Sequence, residues 1–463
     1  MRRLAGTQAL VLGLGKSGMA VARALTDRGA VVHITDSADN PEVKERARML
    51  SGEGVDVVPW TAAEAAADAA QLVVVSPGVP VDSPPILAGK SSGASVISEL
   101  ELAYSLTDSP ITAVTGTNGK GTVVTWLGEM YKAAGRCHIV AGNIGRPLID
   151  AIGEATPATT LIVEVSSFQL ETVIDFRPRV GVLLNITEDH IDRHGDMETY
   201  RETKARLFAN QTNNDFAVVN ADDAETAEII NHIPCNLIRF SAKSRLTKGV
   251  WLEEDRIVAA LPPDFTRQDI GQTAEIKVVG QHNLENALAA SAAALLDGIP
   301  VDAVQRALVS FGGLPHRISY VTTIKGITFY DDSKATNPDA AKRAIEAFDG
   351  KIVLLAGGRN KGLDFSELAG AAARRARAVV VFGEAAEDIA AAVKKVSAED
   401  VPVNRAATLD DAVRIAYEAA KPGDTVLLSP GCASFDMFRD YAERGRAFRD
   451  AANRLAVRES GKV

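Results

Sequence analysis

The sequence predicts an α/β protein of three domains. Its 463 residues exceed the length at which one hydrophobic core keeps growing. Short β-branched runs alternate with alanine-rich segments of helical period from end to end, the pattern of largely parallel sheets covered by helices. Clusters of Gly, Pro and polar residues interrupt this alternation near residues 98 and 313, which divides the chain into blocks 1–98, 99–313 and 314–463. The blocks show no internal repeat and read as separate α/β units.

Composition narrows the partners. With 46% hydrophobic and 24% charged residues the chain is a globular one, and its formal net charge of -10 opposes both a nucleic-acid backbone and an anionic membrane surface. Small ligands are expected instead. Cys137, Cys235 and Cys432 lie far apart with no CxxC pair, so neither a disulfide framework nor a structural zinc site is indicated. The basic start and apolar run of MRRLAGTQALVLGLG outline a signal peptide, but glycines and Lys16 break the run and no small-residue cleavage pattern follows. No segment approaches the roughly 20 apolar residues of a membrane span. A cytoplasmic monomer is expected.

The first block holds the strand candidates QALVLGLG, VVHITD, LVVVSPG and SVIS. Gly13, Gly15 and Gly18 of GLGKSG stand between a strand and a helix, and Asp36 ends the next strand. Glycines there let the backbone approach a pyrophosphate at a helix N-terminus while the acid bonds a ribose hydroxyl, so a Rossmann-like nucleotide-diphosphate domain is expected. A tight turn without a ligand is the rival reading. Ser76, Pro77 and Gly78 of SPGVP add a second turn at the carboxyl end of the same sheet, where open α/β folds bind ligands.

The second block opens with ITAVTGTNGKGT, which indicates a central P-loop ATPase-like domain. Gly116, Thr117, Asn118, Gly119 and Lys120 can offer backbone N–H groups and one point charge to phosphates. The match to a Walker motif is not strict: Val114 replaces its first glycine, and Gly121 stands where a magnesium-binding hydroxyl belongs. Thr122, one residue later, is the candidate substitute. Glu164 ends a strand in EVSSFQLE, and Asp189, His190 and Asp192 follow another in NITEDHIDRHG. A carboxylate and an imidazole beside a phosphate loop suit magnesium, directly or through water. Zinc on His190 and His194 is the rival, without the HExxH pattern, and a solvated acidic turn is the other. The polar stretch SAKSRLTKGVWLEEDR reads as a surface hairpin.

The third block places LPHRI, DDSKATNP, GGRNKGLDF and SPGCASFDMFRDYAERG after strand-like runs. Arg317, Lys334 and Lys361 there can neutralise phosphate and carboxylate groups. Singly each reads as a surface turn; beside a phosphate loop they indicate an ATP enzyme that closes between domains.

GTNGK, EVSSFQLE, NITEDHIDRHG, GQHNLENALAA, LPHRI, DDSKATNP and SPGCASFDMF, in this order, closely resemble the Mur ligases over almost the whole chain. DDSKATNP and SPGCASFDMF are most similar to the members that add D-glutamate. The resemblance implies a first domain that binds UDP-N-acetylmuramoyl-L-alanine, a middle one that binds ATP and Mg2+, and a Rossmann-like third that closes over both. It implies UDP-sugar contacts by Gly15, Lys16, Ser17, Asp36, Ser37, Ser76, Pro77, Gly78, Asn143 and Ser166. For ATP it implies Gly116 to Thr122 with Asn286, Arg317 and Asp332, and for D-glutamate Thr336, Lys361, Ser434 and Tyr441. Lys120, Glu164, His190, Lys204, Arg317 and Lys334 take the catalytic positions, and Thr122, Glu164, His190 and Lys204 the metal. Lys204 matches a family lysine carbamylated by CO2, which makes an extra carboxylate.

The tyrosine hydroxyl of Tyr441 and the glycine at Gly121 depart from the family pattern. KGT is similar instead to folylpolyglutamate synthases, a rival opposed by the GLGKSG domain. A dehydrogenase built on GLGKSG leaves the second and third blocks unexplained, and a non-catalytic nucleotide-binding regulator leaves the many charged site residues so. The expected reaction is phosphorylation of a carboxylate by ATP followed by amide formation with D-glutamate.

Overall fold

The computed structural model describes residues 4–187, 189–359, 362, 364–397 and 400–461, without the side chain of Asp192. Three α/β sheets carry the three blocks. The first contains β1 (Gln8–Leu12), β2 (Val31–Thr35), β3 (Asp56–Val57), β4 (Leu72–Val75) and β5 (Ser95–Ser98), in the order β3-β2-β1-β4-β5 and parallel throughout. That order reverses between β1 and β4, so the turn after β1 adjoins the turn after β4. Strand β3 has only two residues.

The middle sheet has β6 (Ile111–Thr115), β7 (His138–Gly142), β8 (Thr160–Glu164), β9 (Val180–Leu183), β10 (Phe216–Asn220), β11 (Asn236–Ser241), β12 (Gly249–Glu253), β13 (Arg256–Ala260) and β14 (Arg267–Gln272). Its order is β14-β13-β12-β11-β10-β9-β6-β8-β7, so β6 is central, flanked by β8 and β9. The β-branched run of β6 is buried at every residue, as a parallel strand covered on both faces requires. Strands β12 and β13 form the expected hairpin, but it is not a detached surface feature: it extends the sheet, with Val250, Trp251, Ile257 and Val258 buried. Val250, Trp251 and Leu252 of that stretch lie on β12, and Leu246 packs against the Trp251 cluster from the loop before it.

The third sheet joins β15 (Ser319–Ile324), β16 (Ile327–Asp331), β17 (Ile352–Gly357), β18 (Ala376–Phe382), β19 (Val403–Arg405) and β20 (Thr425–Leu428) in the order β15-β16-β20-β17-β18-β19. Only β15 runs antiparallel.

Packing gathers the chain into two compact units. One comprises Met1–Thr273 with Leu284–Leu308 and carries the first two sheets; the other comprises Ala274–Asn283 with Val309–Val463 and carries the third. The helix Glu99–Ser105 explains why the first two blocks pack as one. Leu100, Leu102 and Ala103 belong to a core shared with Leu25 and Val74 of the first block and Ile111, Leu148 and Phe176 of the second. The Glu101 carboxylate accepts from the backbone N–H groups of Ile174, Asp175 and Phe176, and Glu99 accepts from that of Ile149 at 2.7 Å. Burying a large apolar side chain is worth about 1.5 to 3 kcal/mol, so a shared core of this kind resists separation.

Candidate active site

The phosphate loop leaves the central strand β6 and feeds the helix Lys120–Ala133. Two glycines permit the path. At Gly116, with φ of 149°, an added Cβ would lie 3.0 Å from Leu184 Cβ; at Gly119, with φ of 89°, it would lie 2.3 Å from Asn286 Oδ1. Asn286, buried on the helix Gln281–Leu296, thus sits directly against the loop. Asn185, just past β9, brackets the other side: its carbonyl accepts from Thr117 N at 2.9 Å, its Oδ1 from Asn118 N at 2.9 Å, and its Nδ2 donates to Asn118 O at 3.2 Å. The N–H groups of Thr117 and Asn118 are therefore engaged inside the protein. Gly121 takes no left-handed backbone and the helix begins regularly at Lys120, so its freedom is not used to shift the register of Thr122.

Lys120 Nζ donates to Gly116 O at 2.7 Å and Thr117 O at 2.8 Å. Lys204 Nζ donates to the same Gly116 carbonyl at 3.0 Å from the helix Met197–Ala205. Lys204 is 1% exposed and lies 4.5 Å from the centre of the Tyr200 ring, whose hydroxyl is 3.2 Å from Thr117 Oγ1. Burial first, and the nearby Lys120 second, pull the Lys204 amine down to about 7, so much of it is neutral near physiological pH.

Glu164 ends β8 opposite Val114, is 4% exposed, and accepts from Asn143 Nδ2 at 2.9 Å. The UDP-sugar candidate Asn143 and the metal candidate Glu164 are thus one bonded pair. His190, at φ of 54°, starts the short helix Ile191–His194, with its ring 4.8 Å from that of Phe168 and its Nε2 3.5 Å from Asp189 Oδ2. His194 is buried with Nε2 3.1 Å from Ser167 Oγ and Nδ1 3.6 Å from Glu171. Among the described residues no three His, Cys, Asp or Glu side chains gather as a metal site. Glu164 offers a carboxylate oxygen and His190 a ring nitrogen for magnesium, directly or through water, and a carboxylate formed on Lys204 would add a second anionic donor. Thr122 lies half-buried in the first turn of the phosphate-loop helix.

The GLGKSG turn is built the same way. Gly13, at φ of 103°, leaves no room for a Cβ beside Ser76, and a Cβ at Gly18 would fall 1.8 Å from Gly13 O. Gly15 caps the helix Lys16–Thr26, which places Lys16 exposed and Ser17 half-buried in its first turn. The Asp36 carboxylate accepts from Leu14 N at 2.6 Å and Ala38 N at 2.8 Å, so it fixes this turn, with exposed Ser37 beside it. Ser76, Pro77 and Gly78 form the adjoining turn, closed by Val79 N donating to Ser76 O at 3.0 Å. Ser166 uses its hydroxyl in a capping box with Gln169.

In the second unit, Asp331, Asp332, Ser333 and Lys334 follow from β16. His316, at φ of 63°, lies with Nδ1 2.7 Å from Asp331 Oδ2, and Lys334 N donates to His316 O at 2.9 Å. The exposed Arg317 is next in the chain. Tyr441 opens the C-terminal helix Tyr441–Ser460, with its ring 6.2 Å from that of His316 and 5.9 Å from Lys334 Nζ. Arg444, one turn later and fully buried, donates to Ser333 Oγ and O and to Cys432 O, which ties the segment of Lys334 and half-buried Thr336 to that of buried Ser434. Lys361 lies outside the described residues. Asp332 accepts from Ser429 Oγ at 2.7 Å and Ile318 N at 3.2 Å, and burial pushes it up to about 7.

Three stretches match known families: residues 7–98 the Mur ligase MurD-like N-terminal domain, 114–294 the Mur ligase middle domain, and 316–432 the Mur ligase glutamate ligase domain. The chain belongs to the Mur ligase family. It is 45% identical over 441 residues to a UDP-N-acetylmuramoylalanine--D-glutamate ligase of Pelotomaculum thermopropionicum, covering 95% of this chain and 96% of that one. It is 41% identical to the ligase of the same name from Thermoanaerobacter sp. strain X514, covering 98% and 99%. The fold is also that of the solved UDP-N-acetylmuramate-alanine ligase of Thermotoga maritima, with TM-score 0.53 at 20% identity over 97% of this chain and 100% of that chain. MurF from Acinetobacter baumannii shares it, with TM-score 0.54 at 18% identity over 82% and 85%.

In this Mur ligase, sequence reasoning missed Asn185, Tyr200, His316, Asp331 and Arg444. Asn185, His316, Asp331 and Arg444 all stand inside quoted motifs, where each was one polar residue among several; Tyr200 reads as an ordinary helix residue. Asp332 supplies a direct test of the site electrostatics. A carboxyl raised from 3.8 to about 7 binds its proton more tightly folded than unfolded, so its stabilisation is present below about 4 and is lost as pH rises to 7. Asp332→Asn keeps a donor for Ser429 and an acceptor for Ile318. Chemical denaturation at pH 4 and pH 8 is expected to show the variant gaining on wild type by on the order of 1 kcal/mol or more at the higher pH, while ATP turnover falls.

Proposed function

We propose that this Mur ligase joins D-glutamate to UDP-N-acetylmuramoyl-L-alanine at the expense of ATP, a step of peptidoglycan precursor synthesis in the cytoplasm. The substrates follow from the names of relatives at 45% and 41% identity over nearly full length. One observation carries the chemistry: the near-neutral, buried Lys204 amine shares the Gly116 carbonyl with the phosphate-loop lysine. A neutral amine is the form that adds CO2, and the resulting carbamate is a carboxylate beside the loop. The three domains are assigned as 1–98 for the UDP-sugar, 99–313 for ATP and 314–463 for the amino acid.

The free carboxylate of the sugar substrate is a poor electrophile. One of its oxygens attacks the terminal phosphorus of ATP and ADP leaves; the amine of D-glutamate then attacks the acyl carbon, loses a proton, and phosphate departs with the C–O bond. Lys120 turns from its own loop carbonyls to the phosphates, and Arg317 and Lys334 offset charge on the transferred group and on the tetrahedral oxyanion. Magnesium, when bound by Glu164, His190 and carbamylated Lys204, supplies electrostatic stabilisation to the phosphates. Asn286 and Asp332 are assigned to the nucleoside, and Thr336, Lys361, Ser434 and Tyr441 to D-glutamate.

The deciding experiment is phosphate release from ATP with UDP-N-acetylmuramoyl-L-alanine and a panel of D- and L-amino acids. Release confined to D-glutamate, with the amide product seen by mass spectrometry, is expected; equal turnover of L-glutamate or of a folate substrate rejects the reading. Lys204→Ala is expected to lower turnover at least about 100-fold, the usual cost of losing an electrostatic group in such a site, with partial rescue by acetate; near-wild-type rates would remove the carbamate. Thr122→Val is expected to keep ATP affinity while raising the magnesium concentration for half-maximal rate several-fold. An unchanged magnesium dependence assigns that ligand to water instead.

A further inference from the structure

Arg193 makes three contacts with two separate parts of the first unit. Its guanidinium forks onto Glu171, with Nε 3.1 Å from Oε1 and Nη2 2.6 Å from Oε2, and the two side chains are only 14% and 9% exposed. The same Nη2 donates to Val79 O at 2.9 Å, in the turn after β4. Its Cζ lies 4.8 Å over the ring of Phe168, and that ring lies 4.8 Å from His190. Glu171 and Phe168 both follow β8, the strand that Glu164 ends.

The His190 turn cannot hold itself in place. The helix Ile191–His194 is a single turn framed by the N–H groups of Arg193 and His194 returning to His190 O, each at 3.0 Å, and by that of Gly195 returning to Ile191 O at 2.8 Å, and a helix this short has no stability of its own. His190 also sits in the left-handed region, a conformation that persists only where surroundings impose it. Arg193 and His194 are the side chains that anchor the turn, and Arg193 alone of the two reaches the first sheet. A continuous line of contacts results: Gly13 abuts Ser76, Ser76 closes its turn with Val79, Val79 accepts from Arg193, and Arg193 and His190 share the Phe168 ring. A planar guanidinium can serve two carboxylate oxygens and a carbonyl at once; a lysine ammonium has no such fork.

We propose that Arg193 is a positioning residue that couples the turn after β4 to the His190 turn, so that binding of the UDP-sugar and assembly of the phosphate site strengthen each other. The proposal rests on the ligase reading for the identity of the two ligands. Coupling of this kind is reciprocal and commonly amounts to about 5-fold or more in affinity.

Calorimetric titration of UDP-N-acetylmuramoyl-L-alanine, with and without magnesium and a non-hydrolysable ATP analogue, measures it. In wild type the analogue is expected to tighten sugar-nucleotide binding by at least about 5-fold. In Arg193→Ala and Arg193→Lys that ratio is expected to fall close to one, while each ligand alone binds within about 3-fold of wild type. Glu171→Gln, which leaves the Val79 contact, is expected to give an intermediate ratio. Circular dichroism identifies any variant that fails to fold, and Arg193→Lys and Glu171→Gln carry the test if the alanine variant does. A merely structural role lowers both affinities alike and leaves the ratio intact, so a wild-type ratio in the arginine variants overturns the coupling. A ratio of one in wild type also overturns it, without touching the ligase reading, which stands or falls on amide formation by the wild-type protein.

Discussion

Two lysine nitrogens converge on one carbonyl oxygen, that of Gly116, from 2.7 and 3.0 Å. Two ammonium groups at such a distance in a buried site repel strongly, because little water lies between them to screen the charge. The more buried one yields. Burial first, and the neighbouring Lys120 second, shift Lys204 toward the neutral amine. Three neighbouring residues hold this pair in place. Gly116 must be glycine to turn its carbonyl there, Tyr200 puts its ring face against Lys204, and Asn185 pins the loop whose carbonyls the lysines share.

The sheets put the remaining groups within reach of this carbonyl. Because β6 lies between β8 and β9, the loops after all three open on one edge of the sheet, and each contributes: the phosphate loop from β6, Glu164 from the end of β8, Asn185 and His190 from beyond β9. The first sheet repeats the arrangement at β1 and β4, where the order of strands reverses. Functional residues at the carboxyl ends of parallel strands follow from geometry: helices cover both faces, and the strand ends are where loops of different strands meet.

This is why the fold was legible and the site only partly so. Strand–loop–helix punctuation identifies GLGKSG, GTNGKG and DDSKATNP as loops at strand ends without any knowledge of pairing, and the three-sheet α/β architecture follows from the same alternation. Strand order is not local. Nothing near Asn185 says that β9 lies beside β6, so its clasp on the phosphate loop is invisible until the sheet is assembled. Tyr200 stands four residues before Lys204 on one helix, a spacing that reads as an ordinary exposed face until the helix packs. The salt bridge of Arg193 with Glu171 joins segments that follow two different strands, and its reach to Val79 needs a contact between blocks that sequence treats as separate. The short β3 escaped for a different reason: two residues carry no periodicity.

Arg444 shows the same limit in the third domain. It is fully buried, and its hydrogen bonds go to Ser333 Oγ and O, Gly357 O, Cys432 O and Ala433 O, none of them a carboxylate. Burial lowers it only to about 10, so the charge persists at neutral pH and is balanced by hydrogen bonds to neutral oxygens. Such a balance is unforgiving, because each oxygen that moves away leaves part of a buried charge uncompensated. The segments after β16 and β20 and the end of β17 are thereby fixed together, and they carry Lys334, Thr336 and Ser434. Nothing in the run YAERGRAF marks this arginine over its neighbour Arg446, which the sequence presents as a member of the same charged helix. The difference lies in the face that turns inward, where Phe448 and Ala452 follow Arg444 into the core. A cation placed on the apolar stripe of a helix is costly unless the loops beneath it are already shaped to receive it, so the order of those loops is a condition of the fold itself.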